Sequence, residues 1–193
     1  MLEGDKIRLR RVCLEDLPIY RHWQQPGHAW QALDGPYYPK PTAEQVDKTI
    51  EMIKGRIVAG KVPPEPPRLM IADKETDAFI GQVSRYWISE ETNWSAVGIV
   101  IFDPSHWGKG IGYEALGLWS DYLFGQFPDW VRLDLRTWSG NQGMIHLARK
   151  LGYQQEACFR NARIVDGEYF DGLGFGILRE EWQSKFPEGF IPH

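Results

Sequence analysis

The sequence predicts a single mixed α/β domain without internal repeats. Its 193 residues fit one domain of ordinary size and are enough to bury a substantial core. A hydrophobic content of 42% and a charged content of 25% are typical of a soluble globular protein. The hydrophobic periodicity changes repeatedly between strand and helix spacing, in the order β-α-α-β-β-β-α-β-α-β-β. We therefore expect one domain over residues 1–193, built from strands and helices in that order.

The N-terminal part is predicted to form a strand followed by two helices. Residues 7–17 (IRLRRVCLEDL) alternate at their start and then turn into a short helical pattern. Thr42 and Gln45 fit a capping box, which marks the start of the second helix. The apolar stripe of that helix consists of Val46, Ile50, Ile53 and Ile57. The proline-rich stretch 61–67 suits neither a helix nor a central strand, so we expect an exposed connection there.

Strands dominate the middle of the chain. Residues 68–73 and 78–88 fit two strands joined by a polar turn. Residues 97–104 (VGIVIFDP) form a continuous apolar run, which is typical of a strand covered on both faces. Residues 131–137 (VRLDLRT) alternate strictly, as expected of a further strand. One of its faces carries Val131, Leu133 and Leu135, and the other carries Arg132, Asp134 and Arg136.

Two amphipathic helices and a pair of strands complete the predicted order. The first of these helices follows a glycine cluster, and its apolar face carries Ala115, Leu118, Trp119 and Tyr122. The apolar face of the second carries Met144, Leu147, Ala148 and Leu151. Gly152 is predicted to end this second helix. Residues 153–181 fit two strands around a turn at Asp166 and Gly167.

Charge and cysteine content disfavour several classes of partner. The formal net charge of −4, without long runs of like charge, argues against nucleic acid and anionic membranes. No apolar run approaches the roughly 18 residues of a membrane span, and the first residues lack a signal-peptide pattern. The sequence has two cysteines, Cys13 and Cys158, and a domain of this size does not need a disulfide for stability. We therefore expect reduced thiols and a cytoplasmic location. The five histidines lack the spacing of metal ligands, so no metal site is predicted.

The stretch HWGKGIGYEALGLWSDYLF, residues 106–124, places three glycines in five positions directly before a helix. The first turn of a helix exposes unpaired N–H groups, and the helix dipole favours negative charge there. Glycines allow an anion to approach the backbone closely. The pattern therefore predicts a phosphate site formed by Gly108, Lys109, Gly110, Ile111 and Gly112. The alternative is a tight turn with a purely structural role.

Two common phosphate-binding loops fit this sequence poorly. A nucleoside-triphosphate loop has its lysine before Ser or Thr, whereas Lys109 lies between glycines. Residues 110–115 (GIGYEA) match the dinucleotide fingerprint G-x-G-x-x-A, with Asp134 about 20 residues further on. However, Asp134 falls in the middle of a strand, and the remaining chain is too short for the further βα units. A dinucleotide-binding oxidoreductase is therefore the weaker alternative.

Four segments of the chain, in order, resemble one enzyme family. DPSHWGKGIGYEAL (103–116) resembles the pyrophosphate-binding motif of the GCN5-related N-acetyltransferases (GNAT), in particular of their RimJ/RimL-like branch. The segment 7–17 resembles the opening strand of that branch, and NQGMIHLARKLGY (141–153) resembles its second cofactor motif. VDGEYFDGLGFGILREEW (165–182) resembles its closing segment. The resemblance therefore covers most of the chain, from about residue 7 to residue 182.

The resemblance implies a fold and a cosubstrate. Members of the family have a mostly antiparallel central sheet that is splayed at two parallel strands, with helices on both faces. Acetyl-coenzyme A (acetyl-CoA) lies in the V-shaped opening, which corresponds here to strands 97–103 and 131–137. The residues implied in binding it are Val100, Ile101, Phe102, Trp107, Gly108, Lys109, Gly110, Ile111, Gly112, Tyr113 and Asn141. Asn141 also fits the N-cap of the following helix, and the two roles are compatible.

The implied chemistry is direct attack of a neutral amine on the thioester carbonyl. This reaction needs an oxyanion donor, a base and an acid. A backbone N–H within residues 100–102 is the expected oxyanion donor. The positions that carry protons in relatives are occupied here by Ala96, Met144 and Ala148. Glu114 and Tyr153 are the candidate catalytic substitutes, although Glu114 also fits a carboxylate that complements the helix dipole and Tyr153 also fits the core.

Residues 23–38 correspond to the acceptor wall of the family. The candidate acceptor-binding residues are Trp23, His28, Trp30, Tyr37 and Tyr38, with Asp34 in the same region. Ordinary packing under a loop is the alternative explanation for this aromatic cluster. The resemblance thus implies an N-acetyltransferase that modifies a primary amine on a protein N-terminus or small molecule, and homodimers are common among such relatives. The main alternative is a non-catalytic CoA-binding sensor or interaction module of the same fold.

Overall fold

The computed structural model describes residues 1–61 and 63–190, which form a sheet and surrounding helices. In chain order the strands are β1 (Leu2–Glu3), β2 (Ile7–Arg10), β3 (Arg68–Asp73), β4 (Phe79–Ser89), β5 (Trp94–Ile101), β6 (Arg132–Trp138), β7 (Gln154–Val165) and β8 (Glu168–Leu178). The α-helices are α1 (Asp16–Trp23), α2 (Ala43–Val58), α3 (Ile111–Gln126), α4 (Gln142–Leu151) and α5 (Arg179–Lys185). Among these described residues, no helix combines the length and the apolar character needed to cross a membrane.

The eight strands form one sheet in the order β1-β2-β3-β4-β5-β6-β8-β7. Every neighbouring pair is antiparallel except β5 and β6, which are parallel. The parallel register runs only from Ser95 opposite Leu133 to Val97 opposite Leu135. Beyond these pairs, β5 continues to Ile101 and β6 continues to the end of its own range, so the sheet opens between them. The predicted mixed α/β fold, splayed at one parallel pair, is confirmed.

Helix α3 packs on one face of the sheet, and more of its surface is buried than the single apolar face predicted from the sequence. Trp119 is fully buried, and its indole N–H donates to the Ser84 carbonyl of β4 at 3.0 Å. Leu116 and Leu123, outside the predicted stripe, are also fully buried. The C-terminal segment adds this further burial. Its Phe190 ring lies directly against α3, since a Cβ on Gly117 would lie 2.1 Å from that ring. The sheet covers α3 on one side and this segment covers it on another.

Helix α2 has the predicted N-terminus but a less buried face than expected. The capping box is present, with the Thr42 hydroxyl accepting from the Gln45 N–H at 3.3 Å and the Gln45 amide oxygen accepting from the Thr42 N–H at 2.8 Å. Of the predicted stripe, Val46 is buried, whereas Ile50, Ile53 and Ile57 are half-buried. The helix lies beside α1 at the edge of the fold, which leaves its outer side in solvent.

Several element boundaries differ from those the sequence predicts. The first strand proper covers only Ile7–Arg10, and short β1 pairs with it. Val131 lies outside β6 and is exposed, since that strand begins one residue later. Helix α5 was not predicted. In the connection 61–67, Val62 lies outside the described residues.

The turn chemistry of the C-terminal half is confirmed. Gly152 has a φ of 99° and ends α4 in the left-handed region, where glycine is favoured. Asp166 and Gly167 have φ values of 50° and 85° and connect β7 to β8. Positive φ at both central residues is typical of a tight hairpin turn. These local signals therefore set the direction of the last two strands.

Candidate active site

The opening between β5 and β6 exposes backbone groups of β5. Successive backbone N–H groups of a strand point to opposite edges. The Phe102 N–H donates to the Ile80 carbonyl at 3.1 Å, so Phe102 and Val100 direct their backbone groups towards β4. Ile99 and Ile101 consequently direct theirs into the opening. The sequence assigned Val100, Ile101 and Phe102 together to the cosubstrate, and of these three Ile101 directs its backbone groups into the opening.

Trp107 holds the loop after β5 against that strand. Its indole N–H donates to the Ile101 carbonyl at 2.9 Å, which confirms that this carbonyl faces away from β4. The ring also contacts a second apolar cluster, formed by Trp30, Met70, Phe79 and Phe102. Between strand and loop lies a short 3₁₀ helix, Pro104–His106, capped by the Asp103 carboxylate on the Ser105 N–H at 2.8 Å. The start of the glycine loop is therefore rigidly placed beside the opening.

The glycine loop leads directly into the N-terminus of α3. Gly108 and Gly110 have φ values of 71° and 84°, a region that only glycine adopts readily, and Gly110 is the N-cap. The first N–H with a helical partner is that of Glu114, which donates to the Gly110 carbonyl at 3.1 Å. The preceding N–H groups, of residues 111–113, precede the helical ladder and are available to an anion. The loop residues 108–110 are exposed.

Gly112 keeps a passage open between this helix start and the opening in the sheet. A Cβ on Gly112 would lie 3.4 Å from Leu147 of α4 and 3.6 Å from Ile101 of β5. A larger side chain would therefore fill the gap between the two helices and β5. The available backbone of β5, this passage and the N–H groups of α3 form one continuous track, which fits an extended ligand that ends in phosphates.

Positive side chains surround the phosphate end of this track. Lys109 lies within the loop and is exposed. The Lys150 ammonium lies 4.3 Å from the ring centroid of Tyr113 in a cation–π contact. The Lys6 ammonium reaches the same loop from the turn before β2 and donates to the Lys109 carbonyl at 2.9 Å. Three lysines from separate parts of the chain thus give this end a positive character.

Asn141 uses both parts of its amide. Its oxygen accepts from the Met144 N–H at 3.0 Å, so the predicted N-cap of α4 is present. Its amide nitrogen donates to the Leu33 carbonyl at 3.1 Å. The Trp138 indole donates to the same carbonyl at 3.0 Å. The segment around Leu33 is therefore fastened to the end of β6 and the start of α4, beside the opening.

The two candidate catalytic residues are both buried. The Glu114 side chain is 3% exposed, and one carboxylate oxygen accepts from the N–H groups of Lys6 at 2.9 Å and Ile7 at 3.1 Å. The Tyr153 hydroxyl lies 2.8 Å from the Ser120 hydroxyl, and burial raises the pKa of Tyr153. Glu114 faces the β1–β2 hairpin and Tyr153 lies in the main core. Neither side chain therefore has solvent access for exchanging protons.

The candidate acceptor residues separate into two groups. Trp30 is buried, its ring centroid lies 5.3 Å from that of Phe102, and its indole donates to the Trp23 carbonyl at 3.0 Å. The Trp23 ring lies 4.7 Å from that of His28, whose Nε2 lies 2.9 Å from the His22 carbonyl oxygen. The contacts of this first group fit packing under a loop, the alternative explanation given by the sequence, and a role of these residues in acceptor binding stays a prediction.

The second group faces the open side of the sheet. The Tyr37 and Tyr38 rings lie 4.8 Å apart, and Tyr37 also contacts the Trp138 ring at 6.3 Å. Tyr86 of β4 is 47% exposed, yet the surrounding protein raises its pKa, an effect that the nearby Arg136 opposes. We call this surface the acceptor face; its members are Asp34, Tyr37, Tyr38, Tyr86 and Arg136.

The sequence did not single out Tyr86 or Arg136. The alternation of 131–137 did place Arg136 on the side of its strand opposite Leu133 and Leu135. This is the side of the strand from which Arg136 acts on Tyr86. Tyr86 carried no separate signal, because its role depends on Tyr37 and Tyr38, which are near it in the fold but distant in sequence.

Asp34 is the acidic member of the acceptor face. It retains an exposed surface, but desolvation by neighbouring protein raises its pKa, and Lys40 opposes this only partly. The Lys40 ammonium donates to the main-chain carbonyls of Gln31 at 3.1 Å and Asp34 at 3.0 Å. Among the described residues, the Asp34 carboxylate takes part in no ion pair. It is therefore a carboxylate available to a cation.

The point where the sheet opens carries a hydroxyl group. Ser84 of β4 pairs with Gly98 of β5, and a Cβ on Gly98 would lie 3.1 Å from the Ser84 hydroxyl oxygen. Ser84 and Tyr86 are two residues apart on one strand and so share a face. Ala96 and Ala148, at positions that carry protons in relatives, are fully buried. Within the described part of the chain, no cluster of three or more His, Cys, Asp or Glu side chains is arranged to hold a metal ion.

Comparisons with known proteins agree with this fold. A sequence profile of the acetyltransferase (GNAT) domain matches residues 6–154. The N-acetyltransferase p20 of Bacillus licheniformis, itself described as uncharacterized, is 26% identical over 182 residues, covering 94% of this chain and 97% of its own. Spermidine N-acetyltransferase from Vibrio cholerae, solved with CoA and spermine, has a TM-score of 0.71 at 18% identity, covering 92% of this chain and 98% of its own.

RimL, an α-N-protein acetyltransferase of ribosomal L7/L12 solved with coenzyme A, is also similar, with a TM-score of 0.67 at 19% identity. The similarity covers 91% of this chain and 95% of RimL. At these identities the solved structures establish the fold. The chain belongs to the acetyltransferase (GNAT) family, whose members use acetyl-CoA, and it is a GNAT-type N-acetyltransferase.

The dinucleotide alternative does not fit this structure. Asp134 is buried, and its carboxylate accepts from the Arg132 guanidinium at 2.8 Å, so it is not free to bind a ribose hydroxyl. The sheet has one parallel strand pair, whereas a dinucleotide-binding sheet is built from successive parallel βα units.

Proposed function

We propose that this protein transfers the acetyl group of acetyl-CoA to a primary amine that binds at the acceptor face. The observation that carries the proposal is the continuous track from the opening beside Ile99 and Ile101, past Gly112, to the N–H groups of residues 111–113. One end of this track is suited to an amide-containing arm and the other to a pyrophosphate. The acceptor face adjoins the first end.

The cosubstrate supplies an activated thioester, and the chain supplies binding and orientation. The outward-facing carbonyl of Ile99 and the outward-facing N–H of Ile101 would bind the amide-containing arm in the manner of a strand. The N–H groups of Ile111, Gly112 and Tyr113, assisted by Lys109, would hold the pyrophosphate. Asn141 retains its N-cap, so any contact with the arm would use its amide nitrogen.

Ile99 provides the oxyanion donor in this proposal. Its N–H faces the opening close behind Val97, the last residue of β5 that pairs with β6. It is therefore the available donor nearest to the acceptor face. A fixed backbone N–H stabilises developing negative charge without reorganisation, which is the largest single contribution in many acyl transfers. Holding both reactants in place contributes further.

The acceptor binds as an ammonium ion at Asp34 in this proposal. A desolvated carboxylate that makes no ion pair among the described residues gains most from a ligand that brings a positive charge. The similar structures include a spermidine N-acetyltransferase bound to spermine, and spermine is such a ligand. The amine must then lose a proton before attack, and the CoA thiolate that leaves must gain one. We assign both transfers to water beside the Ser84 and Tyr86 hydroxyls. Glu114 and Tyr153 would have structural roles instead.

A non-catalytic CoA-binding module is the second candidate. The observation that favours it is the replacement of three proton-carrying positions of relatives by Ala96, Met144 and Ala148, two of which are fully buried. Both candidates require the same track, so binding of acetyl-CoA cannot separate them. Transfer to an amine separates them. The cytoplasmic location, the absence of nucleic-acid and membrane partners, and a homodimer stay predictions.

The experiment compares two glycine variants of the same helix. Gly112→Val fills the passage, whereas Gly125→Val points into open space, since nothing lies within 4 Å of a Cβ there. Thermal melting with acetyl-CoA, CoA and NAD is followed by an assay of thiol release with spermine and with peptide amines. A ligand at about 100 times its dissociation constant contributes roughly 2.7 kcal/mol, which is several degrees for a domain of this size.

We expect acetyl-CoA to raise the melting temperature of the wild type and of Gly125→Val, but not of Gly112→Val. We also expect thiol release that depends on the amine. A shift with acetyl-CoA but no transfer to any amine would support the sensor instead. No shift with acetyl-CoA, or a shift with NAD alone, would refute the proposal.

A further inference from the structure

We propose that Lys6 binds the pyrophosphate of acetyl-CoA and that Glu114 is the positioning residue that holds Lys6 in place. This inference rests on the proposed function, since it assigns two more residues to the same track. Lys6 lies in the turn between β1 and β2, far in sequence from the glycine loop. The phosphate site would thus be completed by a residue outside the loop and helix that form it.

The carboxylate of Glu114 fixes the main chain of the β1–β2 hairpin onto α3. The same carboxylate oxygen accepts from the N–H groups of both Lys6 and Ile7, at 2.9 and 3.1 Å. A Cβ on Gly4 would lie 1.9 Å from this oxygen, so the hairpin backbone runs directly against the carboxylate. A buried carboxylate needs such donors, and here both come from one turn. Glu114 therefore sets the position of Lys6 relative to the first turn of α3.

From this position the side chain of Lys6 reaches the glycine loop. Its ammonium donates to the Lys109 carbonyl at 2.9 Å and lies 3.2 Å from the site of a Cβ on Gly110, the N-cap of α3. An ammonium carries three donors, and this contact uses one. In the described chain, Lys6 is absent from the ion pairs. A positive charge with two further donors thus lies beside the available N–H groups.

The charge of Lys6 is the feature that distinguishes a ligand role from a structural one. If Lys6 only bound the Lys109 carbonyl, its removal would alter the loop geometry, and the effect on ligand affinity would not depend on the charge of the ligand. If Lys6 binds the doubly charged pyrophosphate, its charge-assisted hydrogen bond makes the free energy of ligand binding more favourable, and salt weakens this contribution. Lys74 offers a comparison, because its ammonium donates to the Gly4 carbonyl of the same hairpin at 2.6 Å.

The test measures the dissociation constants of CoA and dephospho-CoA by calorimetry, at low and high salt. Both ligands contain the pyrophosphate, and dephospho-CoA lacks the 3′-phosphate. We expect Lys6→Met to weaken both ligands by the same factor of about ten, with a smaller effect at high salt. Lys6→Arg should remain within about threefold of wild type. Lys74→Met, the matched control, removes a lysine contact to the same hairpin but leaves both N–H bonds to Glu114 in place, so it should keep the affinity of wild type.

Glu114 is tested through its coupling to Lys6. Glu114→Ala should weaken CoA about as much as Lys6→Met, and the double variant should lose little more, because both remove one interaction. Glu114→Gln keeps an oxygen acceptor for the two N–H groups and should retain most of the affinity. In turnover, the KM for acetyl-CoA should rise in Glu114→Ala while kcat is kept, which a proton-transferring residue would not show.

Four results would overturn the inference. They are an unchanged affinity in Lys6→Met, an equal loss in Lys74→Met, a loss confined to CoA and absent for dephospho-CoA, and a purely additive double variant. Failure of the proposed function is distinguishable from these, since the wild-type protein would then either bind neither ligand or bind both and transfer no acetyl group to an amine.

Discussion

At the scale of single residues, Asp34 combines an energetic cost with a proposed use. Its pKa in the folded protein is raised by desolvation, against the partial opposition of Lys40. A carboxyl whose folded pKa exceeds its unfolded value contributes full stability below the unfolded pKa, and this contribution is lost as pH rises through the folded pKa. At neutral pH the ionised Asp34 therefore destabilises the fold. Perturbed carboxyl groups of this kind cluster at functional sites.

Asp34→Asn should accordingly raise the melting temperature at pH 7 and leave it nearly unchanged at about pH 3, where the carboxyl is protonated in both states. The same variant should raise the KM for a cationic amine by about tenfold, because the ammonium loses its partner. Melting between pH 3 and 7 and steady-state kinetics check the two effects. A variant that is no more stable at pH 7, or that uses the amine equally well, would contradict this role.

At the scale of elements, a buried ion pair fixes α1 to β2. Arg10 contacts both carboxylate oxygens of Asp16, at 2.6 and 2.8 Å, and the two residues are 8% and 2% exposed. The Cys13 N–H donates to Asp16 at 2.9 Å, and Asp77 gives Arg10 a second, more exposed partner. Burial acts to raise the pKa of Asp16, but the hydrogen bonds from Arg10 and Cys13 outweigh it and lower that pKa.

Asp16→Ala leaves the buried Arg10 guanidinium with the more exposed Asp77 to balance its charge. We expect the free energy of unfolding, measured in urea, to fall by about 3 kcal/mol. Because the folded pKa of Asp16 is depressed, its contribution is present above the unfolded pKa of about 4 and is lost as pH falls through the folded value. The difference between wild type and variant should therefore shrink below about pH 4. Arg21→Ala, which breaks the exposed pair with Asp47, is the control and should cost less than about 1 kcal/mol.

At the scale of the whole molecule, the features predicted correctly from the sequence are those determined by residues close to one another in the chain. The capping box at Thr42, the stop at Gly152 and the glycine loop at 108–112 depend on contacts within a few positions, so their residue types revealed them. The opening between β5 and β6 followed from the family resemblance and is confirmed by the sheet.

The contacts that sequence reasoning missed join distant parts of the chain. Glu114 lies 108 positions from Lys6, so a carboxylate in a first helical turn could not reveal that it receives two N–H groups from another hairpin. Gly117 gave no sign that the Phe190 ring lies against it. The backbone direction of Ile99 and Ile101 is set by the pairing register with β4, and a continuous apolar run contains no information about that register.

The sheet consists of two parts. One contains β1 to β5 and the other contains β6, β8 and β7 in that order; three opposed residue pairs between β5 and β6 join them. In our proposal a bound cosubstrate extends this junction by pairing with β5 on its open edge. The N–H groups of Ile99 and Ile101 would then acquire acceptors. The N–H of Phe102 already has the Ile80 carbonyl as its acceptor.

Amide hydrogen exchange, followed by NMR with and without acetyl-CoA, tests this arrangement. A ligand that stabilises the whole protein slows exchange through global unfolding at every buried amide by one common factor. We expect Ile99 and Ile101 to slow by at least about ten times more than Phe102. The Gly112→Val variant, in which the passage is filled, should show neither effect. Equal protection of all three amides would contradict the pairing, and greater protection at Phe102 would restore the assignment first suggested by the sequence.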